Sequence, residues 1–177
     1  MTNEIEVKRT EVSRPDERHG FLQMATHAVI RKYVDEEAQK QDVPFEVTEW
    51  KQNIGLNEGI ALIWDLALGS AGSAYNNTNS RMGVGTSSTA ETAAQTGLQA
   101  GTTAFAGMVA GYPQRTSGTA SFRGTFGSGS ANFSWQEFVV DNGSGASGTI
   151  DMLRKTSDQG TKITGQIWDL TVNVVMS

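Results

Sequence analysis

Two histidines, no cysteine and a few short strings of Gly, Ser, Asp and Asn are the places where this chain could do chemistry. His19 and His27 fall in one segment with a helical pattern, two turns apart. No second His- or acid-rich segment has metal-ligand spacing, so both read as helix-face residues. The missing cysteines exclude disulfides, thiolate metal sites and cysteine nucleophiles. Gly127-Ser128-Gly129-Ser130 lies between two expected strands and reads as a loop, because a nucleophile elbow needs Gly-x-Ser-x-Gly at a strand-to-helix turn. Gly83-Val84-Gly85-Thr86 opens like a phosphate loop, yet it lacks the Gly-Lys-Ser/Thr ending and a helix to follow. Asp141-Asn142-Gly143 resembles the start of a calcium loop, but Gly143 and Gly145 stand where oxygen ligands are required, so a plain turn is expected. Asp35-Glu36-Glu37 reads as a solvated helix end, with no second carboxylate cluster to make an acid and base pair. Asn-x-Ser/Thr strings begin at Asn76, Asn132 and Asn142 and carry meaning only in an exported protein. No catalytic, cofactor-binding or metal-ligating residue is assigned, and the reading is of a protein that is not an enzyme.

The elements that would carry these residues divide the chain near Gly69. Residues 1–70 hold 21 of the 33 charged side chains. Over residues 1–17, charges alternate with Ile5, Val7 and Val12 before Pro15 interrupts, which suits an extended arm able to pair with a neighbour's sheet edge. A frayed terminus accounts for the pattern equally well. From Arg18 to about Gln41, Leu22, Ala25, Val29 and Tyr33 form one stripe with Phe21, Met24 and Ala28 beside it, and a helix is expected. Residues 18–55 are accordingly read as a helical anchoring region. A second helix starts at Asn57, a possible N-cap, and stops at Gly69; Ile60, Ile63, Trp64 and Ala67, widened by Leu62 and Leu66, should be buried on most sides.

Beyond Gly69 the chain is written in Gly, Ser, Thr, Ala and Asn around short strand-like runs. Thr119–Phe126 and Ile167–Met176 alternate cleanly, the latter with Trp168, Leu170, Val172, Val174 and Met176 on one face. Asn132–Val140 changes phase, which suggests a bulge near Gln136 and Glu137. Further strands are expected around 149–155, 81–85 and 103–109. Trp135, Trp168, Phe122, Phe126 and Phe133 read as core rather than as a carbohydrate platform. The expected fold is therefore mainly β with N-terminal helices (α+β), an antiparallel sandwich or barrel-like sheet over 56–177.

Composition narrows the partners. A net charge of -5 lacks the basic footprint of a phosphate-backbone binder, so nucleic acid is not expected. Nothing approaches the ~18 to 20 apolar residues of a membrane span, and residues 1–14 lack the apolar core of a secretory signal. The reading is of a chain made in the cytoplasm and kept there until it is built into something.

The string Tyr75-Asn76-Asn77-Thr78-Asn79-Ser80-Arg81-Met82-Gly83-Val84-Gly85-Thr86-Ser87-Ser88-Thr89-Ala90 resembles one in small virion proteins of tailed bacteriophages. The likeness continues through Gln95–Gln99, Gly111-Tyr112-Pro113, Ala131–Glu137, Gly160–Lys162 and Trp168–Val172, and covers roughly residues 56–177. It implies a structural virion protein, either a capsid decoration protein that binds the lattice as a homo-oligomer or a tail or fibre component that meets the host surface. Its partners would be the major capsid protein or tail proteins, and its location the virion. The motifs carry no catalytic residue. A glycan-binding β module is the rival, with the loops Ser73–Asn79 and Asp141–Ser147 forming its site.

Overall fold

The computed structural model describes residues 24–70, 72–143 and 149–176; the expected arm, His19 and most of the Asp141–Ser147 loop lie outside them. Ten strands and two helices follow in the order β1 (Met24–Tyr33), α1 (Glu36–Lys40), β2 (Glu46–Lys51), β3 (Ile54–Gly55), α2 (Asn57–Leu68), β4 (Ser80–Gly85), β5 (Thr103–Gly107), β6 (Gln114–Thr116), β7 (Thr119–Phe126), β8 (Glu137–Asn142), β9 (Ile150–Thr156) and β10 (Ile167–Met176). They form two five-stranded antiparallel sheets, β2-β1-β10-β7-β6 and β3-β9-β8-β4-β5. The sheets stack as a sandwich, and a bridge between Met108 and Gly124 links them along one edge.

Strand alternation builds the core. Ile30, Phe122, Phe126, Leu170 and Val172 of the first sheet meet Met82, Val84, Phe138, Val140 and Leu153 of the second, all of them buried. Trp135 packs edge-on against Trp168 at 4.8 Å and against Phe126 at 4.7 Å, closing one end of the sandwich. The strands expected over Thr119–Phe126 and Ile167–Met176 form with those bounds, and the aromatic residues are core.

The helix expected from Arg18 to Gln41 is overturned where the structure describes it. Met24–Tyr33 is a strand paired along its whole length with β10, from Met24 opposite Met176 to Tyr33 opposite Ile167. Thr26, Ala28, Ile30 and Lys32 are buried, a period of two that the same residues also allow at helical spacing. The β-branched Val29 and Ile30 and the waiting edge of β10 decide between the two patterns, since tertiary pairing overrides local propensity. Only Glu36–Lys40 is helical, with Asp35 as its N-cap, its carboxylate accepting from the Ala38 amide at 2.8 Å. The described part of the expected helical anchoring region thus holds three strands, β1, β2 and β3, and one short helix.

Helix α2 forms as expected and ends at Gly69, whose φ of 68° is the left-handed stop that glycine adopts without penalty. Leu56, not Asn57, is its N-cap. It is not covered on most sides, because Ile60, Trp64 and Leu68 are exposed. The bulge also moves: the ladder between β8 and β9 shifts register between Val140 and Asp141, while Ala131–Gln136 runs outside the named strands.

Because β1 lies inside one sheet and β3 joins the other, a boundary at residue 55/56 cuts both sheets. A fragment of residues 56–177 leaves one edge of β10 without its partner strand β1. Circular dichroism and thermal melting of that fragment are expected to show no cooperative β transition, in contrast to the full chain.

Candidate functional site

The second sheet has an outer face that is not open. Glu137, Val139 and Asp141 point away from the core on β8, yet all are buried; the irregular segment 86–102 reaches Glu137 through the Gln99 and Ala100 amides, while Phe105 of β5 and Val139 both border Gly83. A buried ion pair holds that segment down. Arg154 on β9 donates from Nε to Glu137 Oε2 at 2.7 Å, and its Nη2 reaches the same oxygen at 2.6 Å. The rest of the guanidinium binds the loop, Nη1 to Gln95 Oε1 at 3.0 Å and Nη2 to the Thr89 carbonyl at 2.9 Å. Glu137 Oε1 in turn accepts the amides of Gln99 at 3.1 Å and Ala100 at 2.9 Å. Lys155 and Thr156 grip Glu91 farther out. With both side chains fully buried, every donor and acceptor matters, since low dielectric strengthens paired groups and penalises orphans.

Beside this pair lies an acidic pocket of the interior. Asp141 and Asp151 are opposite residues in the β8–β9 ladder, and Glu58 of α2 accepts the Asp151 amide at 2.8 Å. Gly97 of the covering loop leaves no room for a side chain, for a Cβ there would stand 2.5 Å from Asp151 Oδ2. Burial, with the nearby Asp141, Glu58 and Glu137 charges, pushes the Asp151 carboxyl up to about 8. Among the described residues no group of three or more His, Cys, Asp or Glu side chains is arranged to hold a metal ion.

Lys162 is the converse case, a buried ammonium whose three protons go to the Gly127 and Ser130 carbonyls and Asn132 Oδ1, at 2.7, 3.0 and 2.9 Å. Desolvation lowers it to about 8. The Gly127–Ser130 string is therefore the rim of a lysine cage. Gly83 and Gly85 sit in strand β4, where a Cβ on Gly83 would press on Phe105 and Val139 at 2.5 and 2.7 Å, so they are packing glycines. His27 is on β1, not on a helix, and its Nε2 lies 3.2 Å from Glu49 Oε2. Asp141 and Asn142 belong to β8 rather than to a turn.

The loop Ser73–Asn79 uses its amides internally. Asn76 Oδ1 accepts from the amides of Thr78 and Asn79 at 3.0 and 2.9 Å, Asn77 donates to the Tyr112 carbonyl at 2.7 Å, and Asn79 to the Ala74 carbonyl at 3.0 Å.

Two accessible surfaces border the first sheet. On the outer face of the first sheet a polar hollow of about 470 Å³ is lined by Arg31, Gln39, Asp42, Arg123 and Thr171. Its cations are matched, Arg31 by Asp42 at 3.1 Å and Arg123 by the buried Asp169 at 2.5 Å. The second surface is apolar. Along the hairpin from β1 to β2, Val34, Val43, Phe45 and Val47 are 56%, 60%, 49% and 44% exposed, and β2 is the outermost strand of its sheet. A strand edge bordered by large apolar residues is a template for strand addition. The sequence reading missed β2, and the signal was present in Val47, Thr48 and Trp50.

Comparison with protein-family models, with curated proteins and with solved structures finds no match to this chain.

The two buried acid sites make separable predictions. Arg154→Met strands Glu137 without its counter-charge and is expected to cost about 3–5 kcal/mol in chemical denaturation, whereas adding Glu137→Gln to it should recover part of that loss. For Asp151 the folded chain keeps a proton up to about pH 8 that the unfolded chain releases near 3.8. The folded state binds more protons in that window, so this group makes stability fall as pH rises through it. Asp151→Asn is therefore expected to raise the urea midpoint relative to the unsubstituted chain more above pH 8 than below pH 3.8.

Proposed function

We propose that this chain is a structural virion protein of a tailed bacteriophage, a capsid decoration protein that binds the capsid lattice as a homo-oligomer. In this reading it is made in the host cytoplasm, and its partner is the major capsid protein. The observation that carries the proposal is the edge of β2, unpaired among the described residues, bordered by Phe45 and Val47 and continued by Val43 and Val34. Main-chain hydrogen bonds along such an edge give affinity, and alternate side chains give specificity, which suits a module that joins repeating copies of a lattice.

The resemblance to phage virion proteins supports the same reading through the residues that carry it. Trp135 and Glu137 of Ala131–Glu137, Lys162 of Gly160–Lys162 and Trp168 of Trp168–Val172 are all buried, and they pin loops or close the core. The shared motifs thus describe an architecture rather than a reactive centre. The internal bonding of Asn76, Asn77 and Asn79 counts against a glycan site on that loop.

Light scattering is expected to give an oligomer, co-sedimentation to place the protein on capsid shells lacking it, and a glycan array to stay silent. Deleting residues 2–14 should abolish co-sedimentation while leaving Tm nearly unchanged, because a sequence in which Ile5, Val7 and Val12 alternate with charges carries too little apolar surface to contribute to the monomer. A monomer with a glycan signal overturns the proposal in favour of a carbohydrate-binding module. An oligomer that labels tails instead of shells moves it to a tail or fibre role.

A further inference from the structure

The ladder between β1 and β2 fixes which backbone groups of β2 are directed away from its sheet. Trp50 lies opposite Ala28, and Thr48 opposite Ile30. One step beyond the His27–Lys51 pair of that register, the Gln52 amide donates to the Thr26 carbonyl at 3.1 Å. Alternate residues of an antiparallel strand bond to the same neighbour, so Trp50 and Thr48 bond β1, and the amides and carbonyls of Val47 and Glu49 are directed to the other side. On that side β2 is the outermost strand among the described residues.

The two flanks of this edge differ in chemistry. Phe45 and Val47, both exposed, stand on the outer flank. On the inner flank a hollow of about 520 Å³ opens between β2 and the turn at 158–160, with Glu46, Trp50 and Asp158 in its wall. Lys32 also lines it, yet that ammonium is buried and bonded to Glu46 at 2.8 Å and to the Gln159 carbonyl at 2.7 Å. The surrounding charge is negative. Residues 34–51 hold Asp35, Glu36, Glu37, Asp42, Glu46 and Glu49 against Lys40 and Lys51, all exposed, a net of -4 where the whole chain carries -5. Arg31 and Lys32 of β1 match Asp42 and Glu46, which leaves two negative charges, and the exposed Asp158 across the hollow is a third.

We propose that the β2 edge takes an extended segment of a partner protein in which basic and apolar side chains alternate. Its backbone pairs with Val47 and Glu49. Its apolar side chains cover Phe45 and Val47, while its lysines or arginines enter the hollow, aliphatic stems along Trp50 and charged heads toward Glu46 and Asp158. A second copy fits less well, because pairing β2 with β2 brings two negatively charged hairpins side by side. The inference rests on the reading of β2 as the binding edge and adds the chemistry of what binds there.

The test is fluorescence polarisation of the full chain with labelled peptides. Lys-Val-Lys-Val-Lys-Val-Lys is expected to bind about tenfold or more tightly than Glu-Val-Glu-Val-Glu-Val-Glu, and than a peptide with the same lysines and valines in two blocks. Val47→Pro removes an outward amide at a position where an edge strand tolerates proline, so binding is expected to be lost while the cooperative melt is kept. Glu49→Lys with Asp158→Lys is expected to weaken the lysine peptide and strengthen the glutamate peptide, opposite shifts that misfolding does not produce. Equal binding of the two alternating peptides, or of the alternating and block lysine peptides, overturns the proposal. An oligomer mass by light scattering that falls in Val47→Pro overturns it in favour of a second copy. Capsid shells separate the two readings. If the chain binds the lysine peptide as expected but ignores shells, the virion reading fails and the edge assignment stands. If Val47→Pro loses shells while the peptides bind alike, the edge is the interface and the chemistry proposed for its partner is wrong.

Discussion

The ion pair between Glu137 and Arg154 is the interaction on which the second sheet depends. Without it, the outer faces of β8 and β9 would present a carboxylate and a guanidinium to a loop with no regular structure of its own. With it, segment 86–102 becomes a cover whose Gln99 and Ala100 amides, Thr89 carbonyl and Gln95 side chain all end on the two charged groups. Long connections without secondary structure are uncommon in compact domains because their backbone polar groups need partners. Here those partners are side chains of the sheet, and the loop is as much a layer of the fold as a connection. The same cover, through Gly97, closes over Asp151 and so raises its proton affinity.

The first sheet solves its outer face differently. Asp169 in the middle of β10 is buried under Arg123, Thr125 and Gln39, so that α1 is fastened to the sheet by hydrogen bonds rather than by grease. Tyr33 and Arg31 converge on Asp42 just past that helix, and burial with the Asp42 bond pushes the Tyr33 phenol up to about 12. Most large apolar residues left accessible among the described residues lie on the β1–β2 hairpin and on α2. These two regions, not the polar faces, are where association would gain most from water release.

Much of the fold was legible from residue order. The period-two runs at 119–126 and 167–176 belong to strands with one face in the core, and alternation reports that directly. Gly69 marked the end of α2 because only a left-handed residue could end it there. Met24–Tyr33 misled because alanine, methionine and histidine tolerate both periods, and the evidence for a strand lies on β10, more than a hundred positions away. Asn132–Gln136 misled for a related reason: Trp135 and Phe133 are apolar enough for a strand, but their backbone bonds go to the turn at 159–162.

The charged interior shows the limit most clearly. By itself the amino-acid order determined a mainly β chain without cysteine, rich in glycine, with Phe122, Phe126 and Trp168 in recognisable strands. Nothing in it distinguished Glu137, Arg154, Asp151 or Lys162 from solvated surface charge, since burial is a property of what lies on the other side of a residue. Only the tertiary structure decided that segment 86–102 folds back onto the second sheet, that Lys162 enters a cage of carbonyls, and that β2 is the outermost strand of its sheet among the described residues. The physical reason is that alternation encodes which side of a strand a residue faces, while the cover over that side comes from segments distant in sequence.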